Sequence, residues 1–378
     1  MRKAYRYRLY PTEKQANLLT GQLAEACRLY NGALQERRDA YRIAGKSLGY
    51  LDQAAQLKEI RANGDLGLAN FSCCQDVLRR VDKTFQAFFR RVKRGDRAGY
   101  PRFKPVSRFD SITFPSYGDG CRLLDGGKLK LQGIGQIKVK LHRPVEGTIK
   151  NVTVKREAGK WYVCFSVECE ARPLPESTEA VGIDVGLTTF AVLSDGTEIE
   201  NPRYYREAQA KLRRAQRKVA RRKRGSKRRK EAVRLLQKAH VHVRNQRSDF
   251  QHKEARKIVN RFGVIVVEDL NIKGLAGGML AKSVYDAAWS GFLQKTSSKA
   301  EEAGRLYLAV IPNGSSQECL CGAQVRKTLS DRWHHCELCG LSEPRDHVSS
   351  KIIIGRGLRL LGPTWVDKPC VPNEAVLL

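Results

Sequence analysis

The first 45 residues combine a strand pattern with a helical pattern. Residues 4–10 alternate as in a half-buried strand. Pro11 ends this run, and the sequence Thr12-x-x-Gln15 that follows is typical of a capping box that begins a helix. Apolar side chains then recur at helical spacing, namely Leu19, Leu23, Cys27, Tyr30 and Leu34. The pattern predicts one strand that leads directly into a long amphipathic helix.

A second amphipathic helix is predicted over residues 68–93. Its apolar stripe consists of Val77, Val81, Phe85, Phe88 and Val92. Its opposite face is basic and carries Arg79, Arg80, Lys83, Arg90, Arg91 and Lys93. Such a face is either ordinary solvated charge or a surface that contacts a polyanion, and the charge of the whole chain decides between them.

Beyond this helix, residues 99–170 change to short alternating runs separated by Pro and Gly. The runs predict strands at 136–140, 152–155 and 161–167. Together with strand 4–10 they would form a small β-barrel of residues 1–11 and 96–175, a wedge domain from which the helices of 12–95 protrude as an inserted helical domain.

After the break at 173–177 the pattern becomes strand, hairpin, helix, strand, helix, strand, which is typical of an α/β domain. This domain would span 176–314 and 341–362. Residues 203–260 predict a long helical hairpin in which no acid interrupts the basic residues from Lys211 to Lys230. We interpret this hairpin as a clamp on a nucleic-acid backbone, with Arg213, Arg217, Arg221 and Lys223 as contacts. The tail, 363–378, carries no clear pattern.

Composition supports a nucleic-acid partner. The 378-residue chain has 41% hydrophobic residues, enough to fold, and 70 Lys+Arg against 39 Asp+Glu give a net charge of +31. Such self-repulsion is best relieved by a polyanion. No apolar run reaches the roughly 20 residues that span a bilayer, and the N-terminus lacks a signal-peptide core. We therefore expect a cytoplasmic, nucleoid-associated protein with no membrane partner and no required oligomer.

Three carboxylates occupy positions at which metal ligands are expected. Asp184 lies in the apolar strand 180–186, Glu268 ends the apolar strand 263–268, and Asp346 lies just after the helix-start signal Pro344. Carboxylates from two strands and a helix can hold two Mg²⁺ or Mn²⁺ ions, which hydrolyse phosphodiesters. The alternative for Asp184 is an acid that caps the following turn.

Two further acids remain fallback ligands for these ions. Asp269 follows Glu268 directly and should point away from it, because side chains alternate along a strand. Asp331 lies inside the cysteine-containing segment of residues 315–340. Neither position has a sequence context as favourable as that of the three acids.

Four of the eleven cysteines have a spacing with chemical meaning. Cys319 and Cys321 form one pair, and Cys336 and Cys339 form the other. Two knuckles of thiolates favour one structural zinc ion in an insert of residues 315–340. The first pair is one residue shorter than usual, so His334 or His335 could replace a cysteine ligand. The other seven cysteines are interpreted as buried, reduced thiols.

Several motifs, in this order, resemble those of the TnpB family, transposon-encoded nucleases regarded as ancestral to type V CRISPR effectors. They span nearly the whole chain and are Arg8-Leu-Tyr-Pro-Thr12, Tyr30-Asn31, Tyr100-Pro-Arg-Phe-Lys104, Gly182-Ile-Asp-Val-Gly186, Val267-Glu-Asp-Leu-Asn-Ile272, Ala288-Trp289 and Ser315-Ser-Gln317. The resemblance implies an RNase H-like (RuvC) nuclease domain, with Asp184, Glu268 and Asp346 on the positions of the catalytic acids. It also implies a guide RNA from the transposon end and cleavage of double-stranded target DNA beside a short motif. Gln75 and Arg79 are the residues we expect to read that motif.

One position departs from the family pattern, since Val348 stands where the family usually has Asn. The overall expectation is an α+β multidomain protein that cleaves DNA under RNA guidance with one active site for both strands, because the seven histidines do not form a second nuclease module. Two other functions stay open: an RNA-guided DNA-binding regulator with weak or no nuclease activity, and a transposase-like protein that needs no RNA.

Overall fold

The computed structural model describes residues 1–64, 66–67, 70–328 and 330–362, so the predicted C-terminal tail lies outside the described residues. The chain divides into two compact units, of which the first is Met1–Glu170 and the second begins at Ala171. Residues 171–175, which the sequence grouped with the barrel, hydrogen-bond to the second unit instead, through the bonds of Arg172 and Leu174 to Glu302 and Ala303.

The first unit contains a seven-stranded antiparallel sheet in the order β2-β6-β7-β1-β5-β4-β3. Its strands are β1 (Arg2–Tyr10), β2 (Ser111–Phe114), β3 (Cys121–Leu124), β4 (Lys128–Leu131), β5 (Gly135–Lys140), β6 (Thr148–Glu157) and β7 (Lys160–Glu168). Among the described residues β2 does not pair with β3, so the sheet is a curled half-barrel, whereas the sequence predicted a small β-barrel.

Three helices of the first unit share one core with this sheet. They are α1 (Glu13–Ala44), α2 (Tyr50–Ala62) and α3 (Phe71–Lys93), and a 3-10 turn follows at Val106–Arg108. Thr12 and Gln15 form the predicted capping box of α1. The predicted apolar positions of α1, from Leu19 to Leu34, are all buried in the common core.

The predicted stripe of α3 is confirmed only over its first part. Val77, Val81 and Phe85 are buried, Phe88 is half-buried, and Val92 is 52% exposed. The cover of the apolar face thus ends before the last turn of α3. Buried residues of all three helices belong to the same core as the sheet, so the helical segment does not form a separately packed insertion.

The second unit is built on a five-stranded sheet in the order β10-β9-β8-β11-β12. The strands are β8 (Ala180–Val185), β9 (Thr189–Leu193), β10 (Glu198–Glu200), β11 (Val264–Glu268) and β12 (Leu306–Val310). Strands β8, β11 and β12 are parallel, and β9 and β10 are added to β8 as an antiparallel meander. Residues 264–267 are buried on both faces, which explains their uninterrupted apolar sequence.

Helices cover both faces of this sheet. The helices of the unit are α4 (Tyr204–Ala220), α5 (Lys227–Arg261), α6 (Ile272–Leu275), α7 (Ala281–Ala287), α8 (Trp289–Ala303) and α9 (Arg345–Leu361). Ile265 and Val267 face the core formed with α5 and α8, while Val264 and Val266 face α9. A two-stranded sheet of β13 (Trp333–His335) and β14 (Ser342–Pro344) precedes α9. None of the helices in the described ranges has the length and hydropathy needed to cross a membrane.

Two glycines allow α9 to approach the sheet closely. A Cβ atom on Gly182 of β8 would collide with the backbone oxygen of Ser350 and would lie 2.7 Å from the backbone nitrogen of Ile354. A Cβ atom on Gly357 of α9 would collide with the side chain of Val266 on β11. The absence of both side chains therefore sets the distance between α9 and the two central strands.

We expect Gly182→Ala to destabilise the second unit by about 1–3 kcal/mol, because the new methyl group meets backbone atoms that cannot rotate away. The measurement is the urea midpoint of unfolding followed by circular dichroism. Gly278→Ala is the matched control, since nothing lies within 4 Å of a Cβ atom at that position. Equal midpoints for the two variants would contradict the close-packing argument.

Candidate active site and cysteine cluster

Asp184 and Glu268 lie side by side at the carboxyl edge of the five-stranded sheet. Val267 of β11 is in register with Ile183 of β8, so the next residue on each strand is the acid. Neighbouring strands are about 4.8 Å apart, and both acidic side chains are half-buried. The parallel pairing of the two strands therefore brings together two carboxylates that are 84 residues apart in sequence.

Helix α9 supplies the third carboxylate. Asp346 lies in the first turn of α9, which begins after Pro344 as the sequence predicted. The close packing of α9 on Gly182 and Val266 fixes the helix above the ends of β8 and β11. The charge of Asp346 acts on Asp184, as does that of Glu268, so the three predicted acids form one cluster.

The carboxylates of the acid cluster repel one another, and burial disfavours their ionised forms. Burial, followed by the charges of Glu268 and Asp346, raises the pKa of Asp184 well above its ordinary value, and Arg345 opposes this. Burial also raises the pKa of Glu268. Hard oxygen donors that repel one another are typical ligands of a divalent cation, which would restore the ionised form of each acid.

Three side chains that the sequence analysis did not select support these acids. Ser315 is 7% exposed and its hydroxyl donates a hydrogen bond to Glu268. Arg356 lowers the pKa of Glu268 by its charge. Arg345 forms an ion pair of 3.2 Å with Asp346. Ser315 follows β12 by five residues and so returns to the same sheet edge, a placement that the sequence motif 315–317 could have indicated.

The two fallback acids do not join the cluster. Asp269 is exposed, and its backbone N–H donates to Val310. The carboxylate of Asp331 accepts hydrogen bonds from the backbone N–H and the hydroxyl of Thr328, at 2.7 and 2.9 Å. Asp331 thus stabilises a turn, and the structure gives neither residue a contact with the other three acids.

The four predicted cysteines converge. The sulfur atoms of Cys319, Cys321, Cys336 and Cys339 all lie within 4.8 Å of one another. Two contacts span the two knuckles, with the sulfur atoms of Cys319 and Cys339 3.6 Å apart and those of Cys321 and Cys336 3.7 Å apart. The short first knuckle therefore still delivers both thiols, and four sulfur ligands at this spacing are consistent with structural zinc.

The second knuckle stabilises a thiolate, and no histidine replaces a cysteine. Hydrogen bonding from the backbone N–H of Cys339, with further hydrogen bonds from the Cys319 side chain and the backbone of Leu338, outweighs the opposing effect of burial and lowers the pKa of the Cys336 thiol to about 7. His334 is fully buried, but its Nδ1 faces Lys327. His335 is exposed on β13. The ligand set of this group is therefore four cysteines without a histidine.

The cysteine module is bonded to the start of α9, where Asp346 lies. Leu320 packs against Val348 and Ile352 in a small separate core. The backbone N–H of Arg345 donates to Arg332, at 2.9 Å, and its guanidinium group also reaches the backbone oxygen of Thr328. Val348, which departs from the family pattern, is therefore 1% exposed and joins the two parts by apolar contact.

The remaining cysteines of the described residues are free thiols. Cys27, Cys73, Cys74 and Cys121 are buried, as predicted, and burial raises the pKa of each. Cys164 and Cys169 are only half-buried, because they lie toward the outer face or the end of strand β7. Cys370 lies in the tail outside the described residues.

Comparison with known proteins identifies the family. The chain is 33% identical to a "Putative RNA-guided DNA endonuclease" of Streptomyces pristinaespiralis over 370 residues, which cover 95% of this chain and 90% of the relative. It is 28% identical to the "Putative RNA-guided DNA endonuclease InsQ" of Escherichia coli (strain K12), over 95% of this chain and 93% of the relative. The chain belongs to the TnpB family, the OrfB proteins of IS605 transposons.

Family models match three segments of this TnpB-family chain. Residues 153–278 match the model described as "Probable transposase", and residues 289–353 match "Cas12f1-like, TNB domain". The latter segment contains the four cysteines and Asp346. Residues 1–46 match a model described as "Helix-turn-helix domain", although here they form strand β1 and the single long helix α1.

Solved structures of CRISPR effectors resemble the chain more weakly. The alignment with the protein of a Cas12f1-sgRNA-target DNA complex spans 95% of this chain and 100% of that protein, with 15% identity and a TM-score of 0.35. CasPhi-2 (Cas12j) bound to crRNA covers 94% of this chain, is covered over 98%, and has 10% identity and a TM-score of 0.46. The sequence relatives, and not these structures, establish the TnpB family.

The predicted nucleic-acid contacts are all exposed in the second unit but only partly exposed in the first. The four predicted contacts of the helical hairpin α4–α5 are all exposed, namely Arg213, Arg217, Arg221 and Lys223. In the first unit Arg79 is exposed and lies 5.2 Å from the ring of Tyr50, while Gln75, one turn earlier on α3, is half-buried. Arg80 instead bonds to Asp76, Ser111 and Thr113, so part of the predicted basic face is structural.

We expect the purified protein to contain about one equivalent of zinc and Cys336→Ser to lose most of it. Because the module contacts α9, hydrogen exchange of residues 343–350 should become faster in the variant. Elemental analysis and hydrogen exchange with mass spectrometry are the measurements. Cys169→Ser, outside the cluster, should keep the zinc and the exchange rates of the parent. A zinc-free parent protein would leave only four neighbouring thiols.

Proposed function

We propose that this protein is an RNA-guided DNA endonuclease of a transposon, which hydrolyses phosphodiester bonds at Asp184, Glu268 and Asp346. The convergence of these acids, from two strands and one helix, is the observation that carries the proposal. The relatives in Streptomyces pristinaespiralis and Escherichia coli have names that state the same activity.

The topology of the second unit supports a nuclease domain of the RNase H-like (RuvC) type. Numbered from β8 to β12, its strands have the order 3-2-1-4-5, in which only the second is antiparallel to the first. This arrangement agrees with the fold that the family resemblance implies. It places the first and fourth strands side by side, which is why Asp184 and Glu268 are neighbours.

Carboxylate oxygens are the ligands that Mg²⁺ and Mn²⁺ prefer, and two such ions, when bound by the acid cluster, would supply an activated water and stabilise the leaving oxygen. The side chains of this protein prepare the site. Asp184, Glu268 and Asp346 would hold the ions, and the hydroxyl of Ser315 fixes the orientation of Glu268. Arg345 holds Asp346 at the start of α9 and lowers the pKa of Asp184.

The guide RNA and the DNA are the partners that the positive charge accommodates. In such systems base pairing selects the target, and the protein reads only a short adjacent motif. We assign that reading to Gln75 and Arg79, which lie four residues apart on one face of α3. We assign backbone contacts to the exposed arginines and the lysine of the hairpin α4–α5. The intact acid cluster favours a nuclease over a regulator that only binds DNA.

Asp184→Ala should abolish guide-programmed cleavage, by on the order of a thousandfold or more, because the three acids act as one unit. Binding of guide and target should persist, since the acids repel phosphate. A plasmid cleavage assay beside a binding assay on the same target separates the two effects. Asp269→Ala is the matched control, because this neighbouring acid is exposed and outside the cluster.

Three results would each count against this proposal. Cleavage that survives in Asp184→Ala would refute the site. A parent protein that binds matched DNA in Mg²⁺ or Mn²⁺ but never cuts it would favour the regulator. Protein without copurified RNA that is nevertheless active on DNA would favour the RNA-independent transposase.

Replacing Arg213, Arg217, Arg221 and Lys223 by Gln should weaken nucleic-acid binding and make it less dependent on salt. Each lost phosphate contact reduces the slope of log K against log salt by about 0.7–0.9, so four contacts correspond to a change of about 3. Binding titrations at several salt concentrations measure the slope. The control replaces Lys253 and Lys257 of α5 by Gln. These lysines form ion pairs with Asp249 and Glu254, at 2.8 and 3.0 Å, and are therefore not expected to contact phosphate. If the slope changed equally per substituted residue in the hairpin variant and in the control, the hairpin residues would not be phosphate contacts.

A further inference from the structure

The first unit contains an open groove that the proposed active site does not use. It lies between the last turns of α1 and the extended segment that follows α3. The groove is lined by aromatic rings and guanidinium groups, with one proline: Arg38, Tyr41, Arg42, Tyr100, Pro101, Arg102 and Phe103. All of these residues belong to the same compact unit.

The aromatic rings of the groove are exposed, although part of the wall is firmly packed. Tyr41, Tyr100 and Phe103 are 69%, 46% and 47% exposed. The ring of Tyr100 is nevertheless held edge-on by Phe85 and Phe88, with ring centroids 5.8 and 5.4 Å apart. A pre-positioned ring of this kind can bind a planar ligand with little loss of side-chain entropy.

The charge of the groove selects an anionic ligand. Three exposed guanidinium groups line it, those of Arg38, Arg42 and Arg102. No carboxylate is among the lining residues of this groove. Asp39 lies 3.4 Å from Arg42, but Arg42 is 67% exposed, so water screens much of this pair. The same charge, in a chain of net charge +31, disfavours a second copy of this protein as the occupant.

We infer that this groove binds an unpaired nucleotide of single-stranded RNA, with its base stacked among the rings of Tyr41, Tyr100 and Phe103 and its phosphate held by the arginines. Aromatic rings beside guanidinium groups are the combination that recognises unstacked bases in RNA loops. A DNA duplex keeps its bases stacked and would offer only phosphates. The identification of this RNA as the guide rests on the proposed function.

The test uses the full chain stripped of copurified nucleic acid and a 12-nucleotide uridine-rich RNA. Tyr41→Ala and Phe103→Leu should each weaken binding by on the order of tenfold, the effect of one lost base stack. Tyr41→Phe keeps the ring and should bind like the parent. Ile43→Ala is the control at the same helix end, because Ile43 is 75% exposed but does not line the groove.

Photo-crosslinking of the same RNA containing 5-iodouridine locates the contact by mass spectrometry. Crosslinks at the three aromatic residues, together with weaker binding of the ring-deleted variants, support the inference. Unchanged affinity of both ring-deleted variants would overturn it, and so would a selective loss of binding to a DNA oligonucleotide of the same sequence. The RNA-binding assay contains no guide, target or metal ion, so its result does not depend on cleavage. A protein that fails to cleave DNA would refute the proposed function and leave the inference about the groove to be decided by RNA binding alone.

Discussion

The close approach of α9 to the five-stranded sheet is the constraint on which the acid cluster depends. Parallel pairing of β8 with β11 suffices to place Asp184 beside Glu268. The third acid comes from a helix, and the distance of that helix from the sheet is set by Gly182 and Gly357. Larger residues at these two positions would lift the start of α9 away from the strand ends. The site thus depends on two residues that have no functional group.

Bringing three carboxylates together has an electrostatic cost that the surrounding groups reduce only in part. Ser315, Arg345 and Arg356 each oppose the rise in pKa of one of the acids. These groups do not remove it, because the pKa of Asp184 stays well above its ordinary value. A divalent cation held by the three acids, as the proposed function requires, would compensate all three charges at once.

The sequence predicted those features that a local pattern of residues determines. It did not predict features that depend on contacts between elements distant in sequence. Chain order and apolar runs were enough to place Asp184 and Glu268 at strand ends, and the spacing of the cysteines predicted the cluster at Cys319–Cys339. Sheet closure depends on strands that are distant in sequence, so the half-barrel was mistaken for a barrel. Ser315 was missed as a partner of Glu268 for the same reason, because the pairing of β11 with β12 brings it to the edge where Glu268 lies.

The cysteine module explains how the chain accommodates Val348. A polar side chain at this position, buried at 1% exposure among Leu320 and Ile352, would need a hydrogen-bond partner. Valine needs no hydrogen-bond partner, and its side chain packs against Leu320 of the cysteine module. Val348 thereby contributes to the apolar packing between α9 and the cysteine module. Integrity of the cysteine cluster and the position of Asp346 are therefore coupled through packing, without any direct contact between sulfur and carboxylate.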